Sequence, residues 1–425
     1  MVGSGDAGRT RLDHTDILIV GAGAAGLATA IFTRRLNPSQ RVVVVDGAAR
    51  PGAKILVSGG SRCNVTNRSV CERDFSGGKP SVVRRVLRGF SVADTVAWFA
   101  SMGVALHEEP HGKLFPDSNR SRDVLNALLR EIEASGAILE ASIRVSAISA
   151  AEDGYSVDTN RGSIAARRVV LATGGESLPK TGSDGAGLEI ARALGHTIVP
   201  TTPALVPLIA ERGFHARLTG VAQDVELALW IDGAIATRIS GALLWTHFGI
   251  SGPAALDMSR HWLRARLEGR AATLTLNFFP GLQFEQIDRR LTKASTAQPR
   301  ASLQSATAQW LPASVSEALL AHLALDGSIV LAQLSREDRR RLSHALVQLP
   351  LEITGSRGYN YAEATAGGVS LDEIDPATMA SRRCRGLYLV GEMLDIDGRI
   401  GGFNFQWAWS SAHVAARALA RATAH

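Results

Sequence analysis

The sequence predicts an α/β protein whose parallel sheet is interrupted by a β-rich insertion followed by a helical one. Three observations carry this. Residues 16–46 read as strand, glycine-rich turn, helix and strand; residues 197–282 offer short alternating runs such as VELALWIDGAIA and ATLTLNFF between Asp-Gly and Gly-Pro turns; residues 283–346 become Arg-, Ala-, Leu- and Gln-rich with helical spacing. A buried strand then resumes at Gly386–Val390 (GLYLV), and Asn404–Ala424 reads as a final long helix.

Composition narrows the class. A chain of 425 residues, 45% hydrophobic, is long enough for two or three domains and apolar enough to fill their cores. The net charge is +6, but Lys supplies only 5 of the 46 basic residues and the arginines are scattered, which reads as compositional bias rather than a binding stripe. No nucleic-acid partner is expected on that ground. The densest basic run, Arg336 to Arg341, follows Ser335 and has Asp338 three residues after that serine, the pattern of a capped, solvated helix start. Cys63, Cys71 and Cys384 form neither a CxxC pair nor a ligand cluster with the scattered histidines, so no metal site is expected and a reducing compartment is. The apolar stretch Ile17–Phe32 carries glycines at motif spacing and, at 16 residues, is short of the ~20 that span a bilayer. A cytoplasmic protein without a membrane segment is expected, with residues 1–14 a loose leader.

The elements follow in order. Asp16–Val20 (DILIV) is a short strand, Gly21–Gly26 a turn, and Leu27–Leu36 a helix stopped by Asn37-Pro38; Arg41–Val45 (RVVVV) is a second apolar strand ending at Asp46. Such a β-α-β unit requires a parallel pair with a right-handed crossover. Ile55–Val57 is an apolar run that a strand could use. Residues 121–135 show 3.6-residue spacing and stop at Gly136. Strand-like pieces at 137–148, 154–159 and 163–172, with turns at Asp153-Gly154 and Arg161-Gly162, suggest an antiparallel excursion that rejoins the parallel sheet at VVLAT.

The turn GAGAAG, from Gly21 through Ala22, Gly23, Ala24 and Ala25 to Gly26, places three glycines with three different tasks. Gly21 makes the tight turn, Gly23 admits a pyrophosphate to the backbone, and Gly26 permits close strand–helix packing. The helix N-terminus adds free N–H groups for the phosphates. Asp46, 20 residues after Gly26 and followed by Gly47, can accept ribose hydroxyls, which favours NAD or FAD over NADP. Two further strand ends, LATGG (Leu171 to Gly175, with Thr173 and Gly174) and GLYLVGE (with Gly391 and Glu392), offer room for a longer ligand, and Glu392 suits the hydroxyls that link the halves of FAD. Gly401 and Gly402 precede a helix start whose amides can stabilise the negative charge of a reduced flavin; ordinary capping by Asn404 is the structural alternative. In ILVSGGSRCNVTN, Gly59 and Gly60 would let backbone approach the flavin plane. Arg62 could hold an anionic or carbonyl group of a substrate, Asn64 could hydrogen-bond the flavin or a substrate carbonyl, and Cys63 reads as packing.

Taken together, GAGAAG, KILVSGGSRCNVTN, GKLFPDS, LATGGESLPKTGSDGAG, PALVPL, THFGISGPAAL, TAGGVSL and GLYLVGEMLDIDGRIGGFNFQWAWSS resemble the bacterial FAD-dependent oxidoreductases labelled aminoacetone-oxidase-like, which include flavoprotein reductases of 3-dehydro bile acids. The blocks run in order from about Asp16 to Ala418. The resemblance implies a Rossmann-like FAD-binding domain (15–196 and 369–425), an inserted β-barrel-like domain (197–282 and 347–368) and a nested helical domain (283–346). It also implies FAD contacts at Lys54, from Ser58 to Asn64, at Val145, Thr173, Gly174, Gly175, Gly391 and Glu392, and from Gly401 through Gly402, Phe403 and Asn404 to Phe405. Asp46 and Lys113 stand where Glu and Arg are commoner, without change of charge. The activity implied is hydride transfer between flavin N5 and a small organic substrate, as NAD(P)H-driven reduction of a conjugated C=C bond. An amine oxidase, an RNA-associated flavoprotein and a plain NAD-dependent dehydrogenase are the alternatives.

Overall fold

The computed structural model describes residues 13–211 and 213–421. Positions 1–12 of the expected leader lie outside the described residues, and His14 already begins a strand. The chain forms two units, one built from Met1–Thr201 with Glu363–His425 and the other from Thr202–Ala362.

In the first unit, strand β1 (His14–Val20) leads through helix α1 (Ala24–Leu36) to β2 (Val42–Asp46), which pairs with β1 in parallel register, Ile17 beside Val42. Both strands are apolar on both faces because both faces are covered: Ile17, Leu18, Ile19, Val43, Val44 and Val45 have no exposed surface. Helix α2 (Ala53–Ser61) follows. Ile55–Val57 is therefore helical rather than a strand; Ile55 is buried and Val57 is 48% exposed, so the run serves one helical face and not a sheet. The excursion expected after residue 136 consists of β3 (Ile138–Ala141), β4 (Val145–Ala151), β5 (Gly154–Thr159) and β6 (Gly162–Leu171). β3 joins β2 in parallel, while β4, β5 and the first half of β6 form an antiparallel meander. The second half of β6 lies between β1 and β7 (Leu387–Leu389), parallel to both. VVLAT does return the chain to the parallel sheet.

Helix α3 (Phe403–Arg421) packs on α1. Leu27 and Ile31 of α1 and Trp409 of α3 are fully buried, each aliphatic side chain contributing roughly 1.5–3 kcal/mol. Both tryptophan N–H groups of α3 are paired: Trp407 donates to Gly391 O at 3.1 Å and Trp409 to Val65 O at 3.0 Å. Gln406, also buried, accepts from Thr66 and Thr95 and donates to Phe90 O, fixing the start of α3 against two separated segments.

The second unit holds a seven-stranded antiparallel sheet in the order 349–351, 272–277, 222–231, 234–246, 249–251, 208–210, 353–356. Its two outermost strands are joined by Glu352 alone, so the sheet curls until its edges meet, as a barrel-like sheet must. Four helices between residues 284 and 348 supply Ile287, Leu291, Leu303, Val315, Leu319, Leu342 and Leu346 to the same core as the strands. Ser335 caps the last of them by accepting the Asp338 N–H at 3.0 Å. Among the described residues no helix is long and apolar enough to cross a membrane.

Candidate functional site

The GAGAAG turn separates its glycines by task. Gly21 has φ +107°, and a Cβ there would overlap Ala172 O; a Cβ on Gly26 would overlap the Gly21 carbonyl. Gly23 differs. It has an ordinary φ of −80°, and a Cβ would meet nothing within 4 Å. It is the N-cap of α1 without a side-chain cap, so the first-turn amides of a 13-residue helix are open to an anion beside empty space. Ala22 and Ala25 are buried and belong to the core, with Ala24 packed against it.

Asp46 ends β2 and accepts the Ala22 N–H at 2.6 Å and the Ala48 N–H at 2.7 Å. Burial pushes its carboxyl up, and these two backbone bonds pull it back. Gly47 adjoins Arg144, which pairs with Asp184 at 2.7 Å, and Val145 is buried at the start of β4.

The stretch from Ser58 to Asn64 is a strained turn. Ser58 breaks α2 with ψ 147°, Gly59 and Gly60 take φ +54° and +67°, and Ser61 and Cys63 are left-handed without being glycine. Two such non-glycine residues cost about 1–2 kcal/mol each, a cost retained here by surrounding structure. A Cβ on Gly59 would press on Asn64 N, whereas one on Gly60 would meet no protein atom within 4 Å. Cys63 is fully buried and its thiol is pushed up to about 12 by that burial, in keeping with packing.

Arg62 and Asn64 fasten this turn. The Arg62 guanidinium pairs with both oxygens of Glu109, at 2.5 and 3.3 Å, and lies 4.1 Å from the Phe115 ring centroid. Oriented by its partners, the Asn64 amide donates to Thr66 O and Leu114 O and accepts the Gly402 N–H at 3.1 Å. The Asn64 amide spends its polar atoms on the protein, whereas the Arg62 side chain pairs with Glu109 and stays 39% exposed.

Lys54 and Glu392 meet as an ion pair that Ser177 joins; Glu392 also accepts the Ser177 hydroxyl at 2.7 Å and the Thr365 N–H at 2.9 Å. Four chain segments converge there. Thr173 and Gly174 follow β6, with Gly174 against Ser183 and Gly175 against Thr365 too closely for a side chain. Gly391 is left-handed and faces Ala25 of α1. Gly401 and Gly402 have φ +128° and +93°, and Gly402 abuts Thr66 O. Phe403 is buried, and Phe405 stacks on Trp409 at 5.5 Å. Asn404 does not cap the helix: its amide exchanges two hydrogen bonds with Gly398, at 2.8 and 3.0 Å.

Sequence reasoning missed Glu109, Phe115, Ser177, Thr365 and Glu363. The first four are partners of residues far away in sequence, with no local signal. Glu363 is exposed by surface area, although protein atoms crowd its carboxyl. That enclosure pushes its carboxyl up, opposed by the charges of Lys54 and Lys113. Among the described residues no group of three or more His, Cys, Asp or Glu is placed to hold a metal ion.

Comparison with known proteins gives these features a context. Residues 15–418 match the family described as HI0933-like protein Rossmann domain. The chain is 31% identical over 402 residues to a protein of Clostridium scindens named 3-dehydro-bile acid delta(4,6)-reductase, covering 95% of this chain and 98% of that one. It is 32% identical over 408 residues to an Escherichia coli protein named ribosomal RNA dihydrouridine synthase, covering 96% and 98%, and 30% identical over 414 residues to a Haemophilus influenzae protein of the same name, covering 96% and 99%.

Proposed function

The chain belongs to the HI0933-like Rossmann family and is an FAD-dependent oxidoreductase, and we propose that it reduces a carbon–carbon double bond conjugated with a carbonyl, using NAD(P)H. The observation that carries this is the kind of bond shared by the relatives' named reactions. A 3-dehydro bile acid has a 3-keto group conjugated with its Δ4,6 double bonds; the uracil that becomes dihydrouracil has its C5–C6 double bond conjugated with a ring carbonyl. Each takes a hydride at a carbon made electrophilic by that carbonyl and a proton beside it, so NAD(P)H and one proton balance the reaction.

When bound, FAD supplies the hydride from N5 of its reduced ring. The residues present fit it. Gly23 and the open first-turn amides of α1 would hold the pyrophosphate, Asp46 the ribose, and the strained turn at Gly60 the flavin ring, whose edge the first turn of α3 would meet. Arg62 and Asn64 are assigned as positioning residues, because Arg62 is paired with Glu109 and the Asn64 amide is taken up by Thr66, Leu114 and Gly402. Glu363, within electrostatic reach of Lys54 and Lys113 and with its carboxyl raised by the protein crowded around it, is assigned as the proton source.

The E. coli relative supports a second reading, in which the acceptor is a uracil within RNA rather than a free small molecule. That reading runs against the expectation of no nucleic-acid partner, which rested only on scattered arginines. Extraction and identification of the flavin, followed by anaerobic NADH or NADPH oxidation with a 4-en-3-one steroid or with unmodified ribosomal RNA, tests both. Consumption that requires either acceptor supports the reductase; peroxide formed from an amine, with neither acceptor reduced, points to an oxidase instead.

A further inference from the structure

The Arg-rich run and the helical insertion have no part in the chemistry above, yet together they build a site of their own. The helices Phe284–Ala297 and Arg336–Gln348 pack on each other and border a groove of about 260 Å³ in the second unit. Its walls include three aromatic rings: Trp230, held by its N–H donating to Thr275 Oγ1 at 2.9 Å, and Phe284 with His344, stacked at 4.2 Å and 24°. Glu226 is the sole carboxylate among the described lining residues, and Arg238 pairs with it at 2.7 Å.

The arginines of the run divide by role. Arg339 pairs with Asp288 at 2.8 Å, and Arg341 pairs with Asp338 at 2.9 Å and donates to Leu323 O at 2.7 Å; these two hold the helix in place. Arg340 is exposed, with its guanidinium 5.6 Å from the Phe284 ring centroid, and Arg336 is exposed as well; neither has a carboxylate partner among the described residues. The groove thus combines flat ring faces and a neutralised acid, and Arg340, near the Phe284 ring, adds an uncompensated cation beside it.

We propose that this groove seats an unpaired nucleotide of a single-stranded RNA, its base against the Phe284–His344 stack or Trp230 and its phosphate toward Arg340. Aromatic stacking with nearby cations is how single strands are held without base-specific contacts. The assignment rests on the RNA reading of the reductase and locates where that substrate is gripped.

The test uses the full-length holoenzyme and a fluorescein-labelled oligouridylate followed by anisotropy. Phe284→Ala weakens binding by about tenfold or more, the loss expected for one stacked base. Arg340→Glu also weakens it and makes the salt dependence shallower. Both variants keep their flavin and their rate with a small enone. Wild-type binding that persists unchanged in both variants overturns the groove assignment alone, while no binding by the wild type overturns the assignment and the RNA reading together.

Discussion

Lys54 and Glu392, 338 residues apart in the chain, form one ion pair that Ser177 joins and that the Thr365 N–H completes. Both side chains are about three-quarters or more buried, at 26% and 19% exposed. Removing one partner leaves the other charge unpaired in a poorly hydrated place. Lys54→Met and Glu392→Gln should each cost about 1–3 kcal/mol, and the double variant less than their sum. A double-mutant cycle by urea denaturation measures this; strict additivity would contradict the pairing.

Gly23 and Gly26 should fail differently. A side chain at Gly23 meets ordinary backbone and empty space, so Gly23→Val should leave the apoprotein's stability within about 1 kcal/mol and abolish stoichiometric FAD. At Gly26 a Cβ overlaps the Gly21 carbonyl, so Gly26→Ala should destabilise the whole unit by several times that amount. Thermal melting of cofactor-stripped protein beside flavin content of purified protein separates the two.

Glu373 makes stability fall in acid. Burial alone would raise its carboxyl, but hydrogen bonds from Arg383, Thr197 and His196 outweigh this and bring it down to about 2. A carboxyl depressed in the folded state stabilises the fold fully above its unfolded value of ~4.3 and loses that contribution as pH falls toward about 2. Glu373→Gln should therefore be less stable than wild type at neutral pH and lose less on acidification. Urea midpoints followed from neutral to strongly acidic pH would show it; parallel curves would not fit.

Glu363 should set an upper pH limit on activity. Its enclosure raises the carboxyl above the usual range, and a proton donor works only while protonated, so the rate should fall as pH rises through that raised value. Glu363→Gln should lower kcat by about 10²-fold or more and remove this limb of the profile, with flavin content unchanged. An unaltered pH–rate profile excludes the assignment.

Much of this was legible locally. Strand, glycine turn, strand and terminal acid lie within 31 residues, so β1, α1, β2 and Asp46 could be read from period and spacing. The insertions announced themselves through alternation and helical spacing. Ile55–Val57 misled because a three-residue β-branched and aliphatic run looks alike on a strand or on a helix with one covered face. Roles at Arg62, Asn64 and Asn404 were not legible, since they depend on Glu109, Gly402 and Gly398, whose placement only tertiary structure decides. The strain at Ser61 and Cys63 was hidden for the same reason: nothing in either residue type requires a left-handed backbone.

The most direct measurement is an anaerobic half-reaction on the purified holoenzyme. NAD(P)H should bleach the bound flavin, and either a 4-en-3-one steroid or unmodified ribosomal RNA should restore its colour while one equivalent of the saturated product forms. Flavin that stays bleached with both acceptors and is restored only by oxygen would contradict the account.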